Sequence, residues 1–156
     1  MYETRWATKN ELPLIAEFWF RMACEMGEID GIPLPDSQKV NEVERLFFKE
    51  SENGNLMFRV AESEKKEIVA CAGGLLRKEY FFPLSEEQTP FGWIIAVYTL
   101  PQHRGNGLAY QLVDEVCSWL KDNGAKRARL WSSSRARKLY ESLGFKSMLD
   151  MEKPLG

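Results

Sequence analysis

Hydrophobic and polar residues alternate over 2–7, with Tyr2, Thr4 and Trp6 on one side and Glu3 and Arg5 on the other. That is the two-residue period of a short strand. The period then lengthens. Thr8-Lys9-Asn10-Glu11 has the spacing of a capping box, and the segment behind it sets Leu12, Ile15, Trp19, Met22, Ala23 and Met26 on one helical face. Gly27 and Gly31 are expected to end this helix, with Ile32-Pro33-Leu34-Pro35 as a stiff extended connector. A second helix is expected from Asp36 or Ser37, burying Val40, Val43, Leu46 and Phe47. After the turn at Asn53-Gly54-Asn55, residues 56–62 and 67–80 read as an antiparallel strand pair joined by Glu64-Lys65-Lys66. Gly73-Gly74 in the second strand marks a bulge or a close backbone approach.

Residues 93–100 are apolar on both sides, Trp93, Ile95 and Val97 alternating with Ile94, Ala96 and Tyr98. A strand of that kind lies in the middle of a sheet covered above and below. Helix follows over 107–123, with Leu108, Leu112, Val113, Val116 and Leu120 inward and Gly124 as its C-cap. A strand at 127–131, a helix at 134–143 stopped by Gly144, and a last strand at 145–151 complete the pattern. The order β-α-α-β-β-β-α-β-α-β predicts an α/β (α+β) protein with one mixed sheet and helices on both faces.

Composition narrows this. With 156 residues the chain is expected to form a single domain over 1–156, and 44% apolar with 28% charged residues excludes disorder. Lys plus Arg total 21 against 23 acids, so a dedicated nucleic-acid binder is not expected, although a local basic patch could still hold a small anion. Cys24, Cys71 and Cys117 have no C-x-x-C spacing and His103 stands alone, so no metal site is expected; the cysteines read as buried thiols in a reducing compartment. Neither a signal peptide nor a run of about 20 apolar residues occurs, so the expectation is a cytoplasmic protein without membrane attachment, monomeric or homodimeric.

Chemistry concentrates in Pro101-Gln102-His103-Arg104-Gly105-Asn106-Gly107-Leu108-Ala109, between the buried strand and the amphipathic helix. Glycines at a first helical turn allow close approach of a ligand to the backbone, and the orphan amides there favour an anion. A tight turn without a ligand is equally compatible with these residues taken alone. Two familiar phosphate loops fail. A Walker loop needs Lys-Ser/Thr after its last glycine, where Leu108-Ala109 stand. A dinucleotide fingerprint needs a small residue at Tyr110 and an acid about 20 positions on, where Lys126-Arg127-Ala128-Arg129 lie.

Gln102-His103-Arg104-Gly105-Asn106-Gly107 resembles motif A of the GCN5-related N-acetyltransferases, Gln/Arg-x-x-Gly-x-Gly/Ala, at every position. Ile95 to Pro101 is similar to the family's strand leading into that loop, and Ala136-Arg137-Lys138-Leu139-Tyr140-Glu141-Ser142-Leu143-Gly144-Phe145 to its motif B helix, A-x-x-x-Y-x-x-x-G-F. The match covers 93–147. It implies a mostly antiparallel sheet splayed between strands 93–100 and 127–131, with acetyl-CoA as co-substrate and a small-molecule or peptide amine as acceptor. By position it places the pantetheine arm on the backbone of Val97 and Thr99. The pyrophosphate falls on the amides of Arg104, Gly105, Asn106, Gly107, Leu108 and Ala109. Lys121, Lys126, Arg127, Arg135, Arg137 and Lys138 are candidates for the 3′-phosphate. Tyr140, which the helix stripe alone would make a core aromatic, becomes the general acid toward the leaving thiolate. A strand amide near Val97 becomes the donor to the carbonyl oxygen.

The chain departs from the family where Ala96 and the Ser132-Ser133 pair stand in place of asparagines; Ser133 or Ser132 is the candidate contact to the cofactor arm. Glu79, Glu25 and Glu28 are candidate bases, none singled out by sequence. Glu25, Glu28, Asp30 and Asp36 cluster about the 26–35 connector and could form an acidic wall for a cationic acceptor, with Trp19 and Phe18 as possible lining. His103 is expected to be exposed and not catalytic. The leading expectation is direct acetyl transfer in a ternary complex; a catalytically silent acyl-CoA-binding or regulatory module, or an interaction domain without cofactor, are the alternatives.

Overall fold

The structure, a computed structural model, describes residues 1–79, 89–148 and 151–156, the side chains of Glu79 and Thr89 excepted. Five strands form one sheet in the order β1-β2-β3-β4-β5: β1 (Glu3–Trp6), β2 (Leu56–Glu62), β3 (Ile68–Glu79), β4 (Thr89–Thr99) and β5 (Ala128–Arg129). All neighbours are antiparallel except β4 and β5, which run parallel. Helices α1 (Leu12–Asp30) and α2 (Lys39–Glu52) cover one face, against Phe58, Val60, Cys71, Ala96 and Tyr98. Helix α3 (Leu108–Asp122) and the short α4 (Arg137–Ser142) cover the other, against Ala61, Ala70, Ala72 and Ile94. This is the mixed, mostly antiparallel sheet with helices on both faces that the period changes predict.

Several boundaries differ, each for a local reason. A 3₁₀ turn at Lys9–Glu11 precedes α1, and the Glu11 half of the capping box is made, Thr8 N–H donating to Glu11 Oε1 at 2.8 Å. Helix α1 continues through Gly27 to Asp30, and only Gly31, at φ 69°, stops it. Gly27 serves a close approach instead: a Cβ there would lie 2.5 Å from the Leu34 side chain and 2.7 Å from Ile32 O, where the connector folds back. In α2 only Phe47 is buried, while Leu46 is 57% exposed because it faces the cleft described below. Strand β5 has two residues, α4 is shorter than expected, and 145–148 form no strand; the rest of the expected 145–151 strand includes residues 149 and 150, outside the described set. Of the three cysteines only Cys71 is buried, and Cys24 and Cys117 are half-buried.

The paired glycines of β3 are sites of close approach. A Cβ on Gly74 would stand 2.6 Å from Val116, and one on Gly73 would stand 2.5 Å from the Phe58 ring and 3.0 Å from Ile95. The ring of Phe58 is itself pinned by Phe47, 4.9 Å away. Gly73→Ala is therefore expected to cost about 1–3 kcal/mol by overpacking. A fall in the urea midpoint at unchanged slope checks it; an unchanged midpoint would contradict the packing.

The bulge lies one residue before these glycines in register, in β4. Cys71 pairs with Tyr98 but Gly73 with Ile95, so Ala96 and Val97 together face the single residue Ala72. Ala96 takes φ 51°, a left-handed conformation that costs a residue with a Cβ about 1–2 kcal/mol. Its carbonyl accepts a hydrogen bond from the buried Cys71 thiol at 3.1 Å, and burial pushes that thiol's pKa up to about 12, which keeps the donor proton in place.

Candidate active site

Strands β4 and β5 pair only at Gly92–Ala128 and Trp93–Arg129. Beyond Trp93, β4 runs on to Thr99, still paired with β3, while β5 has ended, so that stretch has no strand on its β5 side among the described residues. The chain leaving β5 turns away through Leu130 and Trp131 toward α4. The opening between them, closed from the other side by α1 and α2, is a cleft of about 940 Å³. Val97, Thr99, Arg104, Gly105, Gly107, Leu108, Ala109, Ser133 and Tyr140 all line it, and so does Glu25. Asn106, Glu28 and Asp30 do not.

At one end is the turn into α3. Gly105 (φ 83°) and Gly107 (φ 74°) both need the left-handed region, and no atom lies within 4 Å of where their Cβ atoms would be. The space over the loop is open. Gln111 N–H donates to Gly107 O at 3.1 Å, and the amides ahead of it are the donors a helix start cannot satisfy within itself. They carry the positive end of the fifteen-residue α3. Asn106 turns outward, its Nδ2 donating to His103 O at 3.0 Å. His103 is half-buried rather than exposed, because Tyr2 of β1 packs edge-on against it with the hydroxyl 2.9 Å from Nδ1.

Arg104 brings its side chain to the cleft, while its amide donates to Pro101 O at 3.3 Å. Its Nε donates to Thr99 O at 2.9 Å, its Nη2 reaches both Glu25 oxygens at 2.9 and 3.0 Å, and its guanidinium lies over the Tyr98 ring. Arg135 meets the same carboxylate at 3.5 Å. Burial first, and the nearby Glu25 carboxylate second, raise the pKa of Tyr98. Glu25 is thus shared by two guanidiniums. Asp30 accepts a hydrogen bond from Ser134 N–H at 3.2 Å, tying the end of α1 to the segment ahead of α4. The connector acids do not gather round the cleft, and the Glu79 side chain lies outside the described residues.

Tyr140 stands on α4 and lines the opening. It is 8% exposed, held by Phe145 edge-on at 5.9 Å, and burial pushes its pKa up to about 12. Its hydroxyl has no hydrogen-bond partner among the described residues, and it is not one of the sealed polar atoms left unsatisfied, so it opens to the cleft. A second cleft of about 1010 Å³ adjoins the first, sharing Trp93, Leu130, Trp131, Ser133 and Tyr140. Ser133 Oγ accepts from Ala136 N–H at 3.3 Å at the start of α4, and Ser132 Oγ donates to Ser133 O at 2.8 Å. Of the basic candidates, Arg135 lines the first cleft, Arg127 and Arg137 line the second, and Lys121, Lys126 and Lys138 line neither.

The sequence reading missed three features of the site: the bulge at Ala96, the turn of Trp131 into the opening, and the exposure of Leu46 along it. Gly73-Gly74 flags an irregularity in β3, but nothing marks the extra residue in β4, since Ala96 sits in an unbroken apolar run. Trp131 carries a signal in retrospect, as the last large apolar residue before a serine run. Trp19 lines the cleft, whereas Phe18 is core. Among the described residues no cluster of three His, Cys, Asp or Glu side chains is placed to hold a metal, and no helix is long and apolar enough to cross a membrane.

Known proteins share this architecture. A predicted acetyltransferase of Clostridium acetobutylicum, solved with acetyl-CoA, superposes at a TM-score of 0.85 with 24% identity over 99% of this chain and 96% of that one. A GCN5-related N-acetyltransferase from Ralstonia eutropha JMP134 also reaches 0.85, at 20% identity and 99% of each chain. Glucosamine-6-phosphate N-acetyltransferase from Arabidopsis thaliana reaches 0.68, at 18% identity over 100% of this chain and 99% of that one. At such identities the likeness establishes the fold. No curated protein matches by sequence. The family model for acetyltransferases of the GNAT family, however, matches residues 19–145, from within α1 to the end of the Tyr140 segment. The chain belongs to the acetyltransferase (GNAT) family.

Proposed function

We propose that the protein transfers the acetyl group of acetyl-CoA to an amine by direct attack in a ternary complex. The observation that carries this reading is the splay of β4 from β5, with an open glycine turn at one end and, on its lining, a phenol hydroxyl that has no partner among the described residues. The residues present fit the co-substrate. Its pyrophosphate suits the amides of 105–109, where the helix dipole favours an anion and the missing Cβ atoms leave room; the Arg104 amide, expected to join them, already donates to Pro101 O at 3.3 Å. The arm suits the unpaired edge of β4 at Val97 and Thr99, with Ser133 opposite. A cleft of about 940 Å³ matches the size of known small-molecule sites.

Acetyl-CoA supplies an activated acyl group on a thiol leaving group. The chain's own residues supply position and polarity. Turning Ala96 O into the Cys71 thiol leaves the neighbouring Val97 amide as the candidate donor to the carbonyl oxygen, whose charge grows as nitrogen attacks. A carbon–nitrogen bond forms, the carbon–sulfur bond breaks, and one proton passes from nitrogen to sulfur. Tyr140 serves that last movement. With its pKa at about 12, against about 8.5 for a thiol, it does not rest deprotonated beside a free thiolate. It donates a hydrogen bond as the sulfur gains charge, and any proton it passes on is replaced from the acceptor side.

The experiment is acetyl-CoA-dependent thiol release with and without amines. Release should require the amine, and transfer should appear as N-acetyl product. Release at the same rate without any amine would overturn direct transfer. The pH profile has a definite sign. The acceptor must be neutral, so the rate rises with pH; Tyr140 must stay protonated, and its raised pKa of about 12 means no loss from its ionisation below about pH 10. A falling limb centred near pH 8–9 that disappears in Tyr140→Phe would contradict the assignment.

A further inference from the structure

We propose that the acceptor is a monoamine carried on a bulky apolar body; this rests on reading the cleft as an acetyl-transfer site. The apolar lining that the helices give the cleft is built by Met22, Met26 and Ile29 of α1 and by Val43 and Leu46 of α2, and Trp131 lines the same cleft. Three of these are exposed in a way that a folded core would not leave them: Trp131 is 78% exposed, Leu46 57% and Ile29 42%. Trp131 is also oriented, its ring set edge-on to Trp93 at 6.2 Å and 79°. Large apolar side chains contiguous along a cleft and open to water mark a binding surface rather than a packing accident. Methionines with tryptophans suit an aromatic or branched aliphatic guest, since thioethers and indoles both pack well against ring edges and faces.

Charge decides against the alternative, a polycation. Among the described residues Glu25 is the one acid lining the cleft, and it is already matched by Arg104 and Arg135. One carboxylate between two guanidiniums leaves the charged lining of the cleft net positive. Glu28 lines neither cleft, and Asp30 lines only the adjoining one, where it accepts Ser134 N–H. A polyamine or aminoglycoside would bring several positive charges to a wall with no carboxylate to spare. A monoamine deprotonated for attack brings none.

Binding and turnover separate this proposal from the reading beneath it. Trp19, Trp93 and Trp131 line the cleft, so ligand binding can be followed by tryptophan fluorescence. With 2-phenylethylamine and spermidine as probes at physiological salt, 2-phenylethylamine should saturate with a dissociation constant at least about tenfold lower, one order of magnitude being the least that distinguishes the classes. Trp131→Ala, at an exposed position that should not disturb folding, should weaken 2-phenylethylamine by roughly 2–10-fold and leave spermidine unaffected. Spermidine binding as tightly as 2-phenylethylamine, or a Trp131→Ala variant with unchanged 2-phenylethylamine affinity, would overturn the proposal. If 2-phenylethylamine binds as expected yet no amine supports thiol release, the ligand class of the cleft stands, while acetyl transfer, and with it the acceptor role, falls. If spermidine is the faster substrate, transfer stands and the acceptor class falls.

Discussion

Tyr140→Phe is expected to lower kcat by about 10²–10⁴-fold while acetyl-CoA affinity stays within about twofold of the parent, the range general acid groups commonly contribute. The argument is one of what the substitution leaves behind. The ring is nearly buried against Phe145, and phenylalanine fills the same space. The hydroxyl has no protein partner among the described residues, so its removal strands no donor or acceptor and stability should barely change. Only a group arriving in the cleft can miss it. Single-turnover measurement of thiol release, which isolates chemistry from product release, checks the loss. A rate within a few fold of the parent would make Tyr140 a core aromatic whose polar tip happens to reach the opening.

Gly107→Val is expected to abolish measurable acetyl-CoA binding, a loss of about 10²-fold or more if two charge-assisted amide contacts are lost. Two effects combine at this position. The backbone at φ 74° strains any residue with a Cβ, and the side chain would fill the space, open now, in which a phosphate would approach the amides. Gly124→Val separates them. It follows α3, has φ 91° and equally open surroundings, and lines neither cleft. It should show the same strain, as a loss of stability, with unchanged acetyl-CoA affinity by calorimetric titration. Equal losses of affinity in both variants would mean that strain, and not the cleft, explains the glycine.

The two motif segments were legible because they combine a backbone requirement with a position. Gly105 and Gly107 are needed for their left-handed φ, and the motif resemblance placed Tyr140 at the cleft where its own helix stripe placed it in the core. The sheet and its two helical layers followed from period alone. What stayed hidden depends on contacts distant in sequence. The capture of Glu25 by Arg104 and Arg135 spans the chain, and nothing local distinguishes Glu25 from Glu28, three residues away on α1. Gly27 looked like a helix stop because its real neighbour, Leu34, comes back to it only after the connector folds. The early end of β5 could not be read from 127–131, whose residues suit a strand; pairing with β4 stops after Trp93, and that parting makes the site.

The most direct test of the account is a backbone-amide NMR titration of the intact chain with acetyl-CoA. The account predicts saturable shifts that are largest at Gly105, Gly107, Leu108 and Ala109, with a second group at Val97 and Thr99 along the open edge of β4. Amides on the far side of the sheet, in β1 and β2, should hardly move. No saturable shift, or shifts centred away from the glycine turn and the β4 edge, would contradict it.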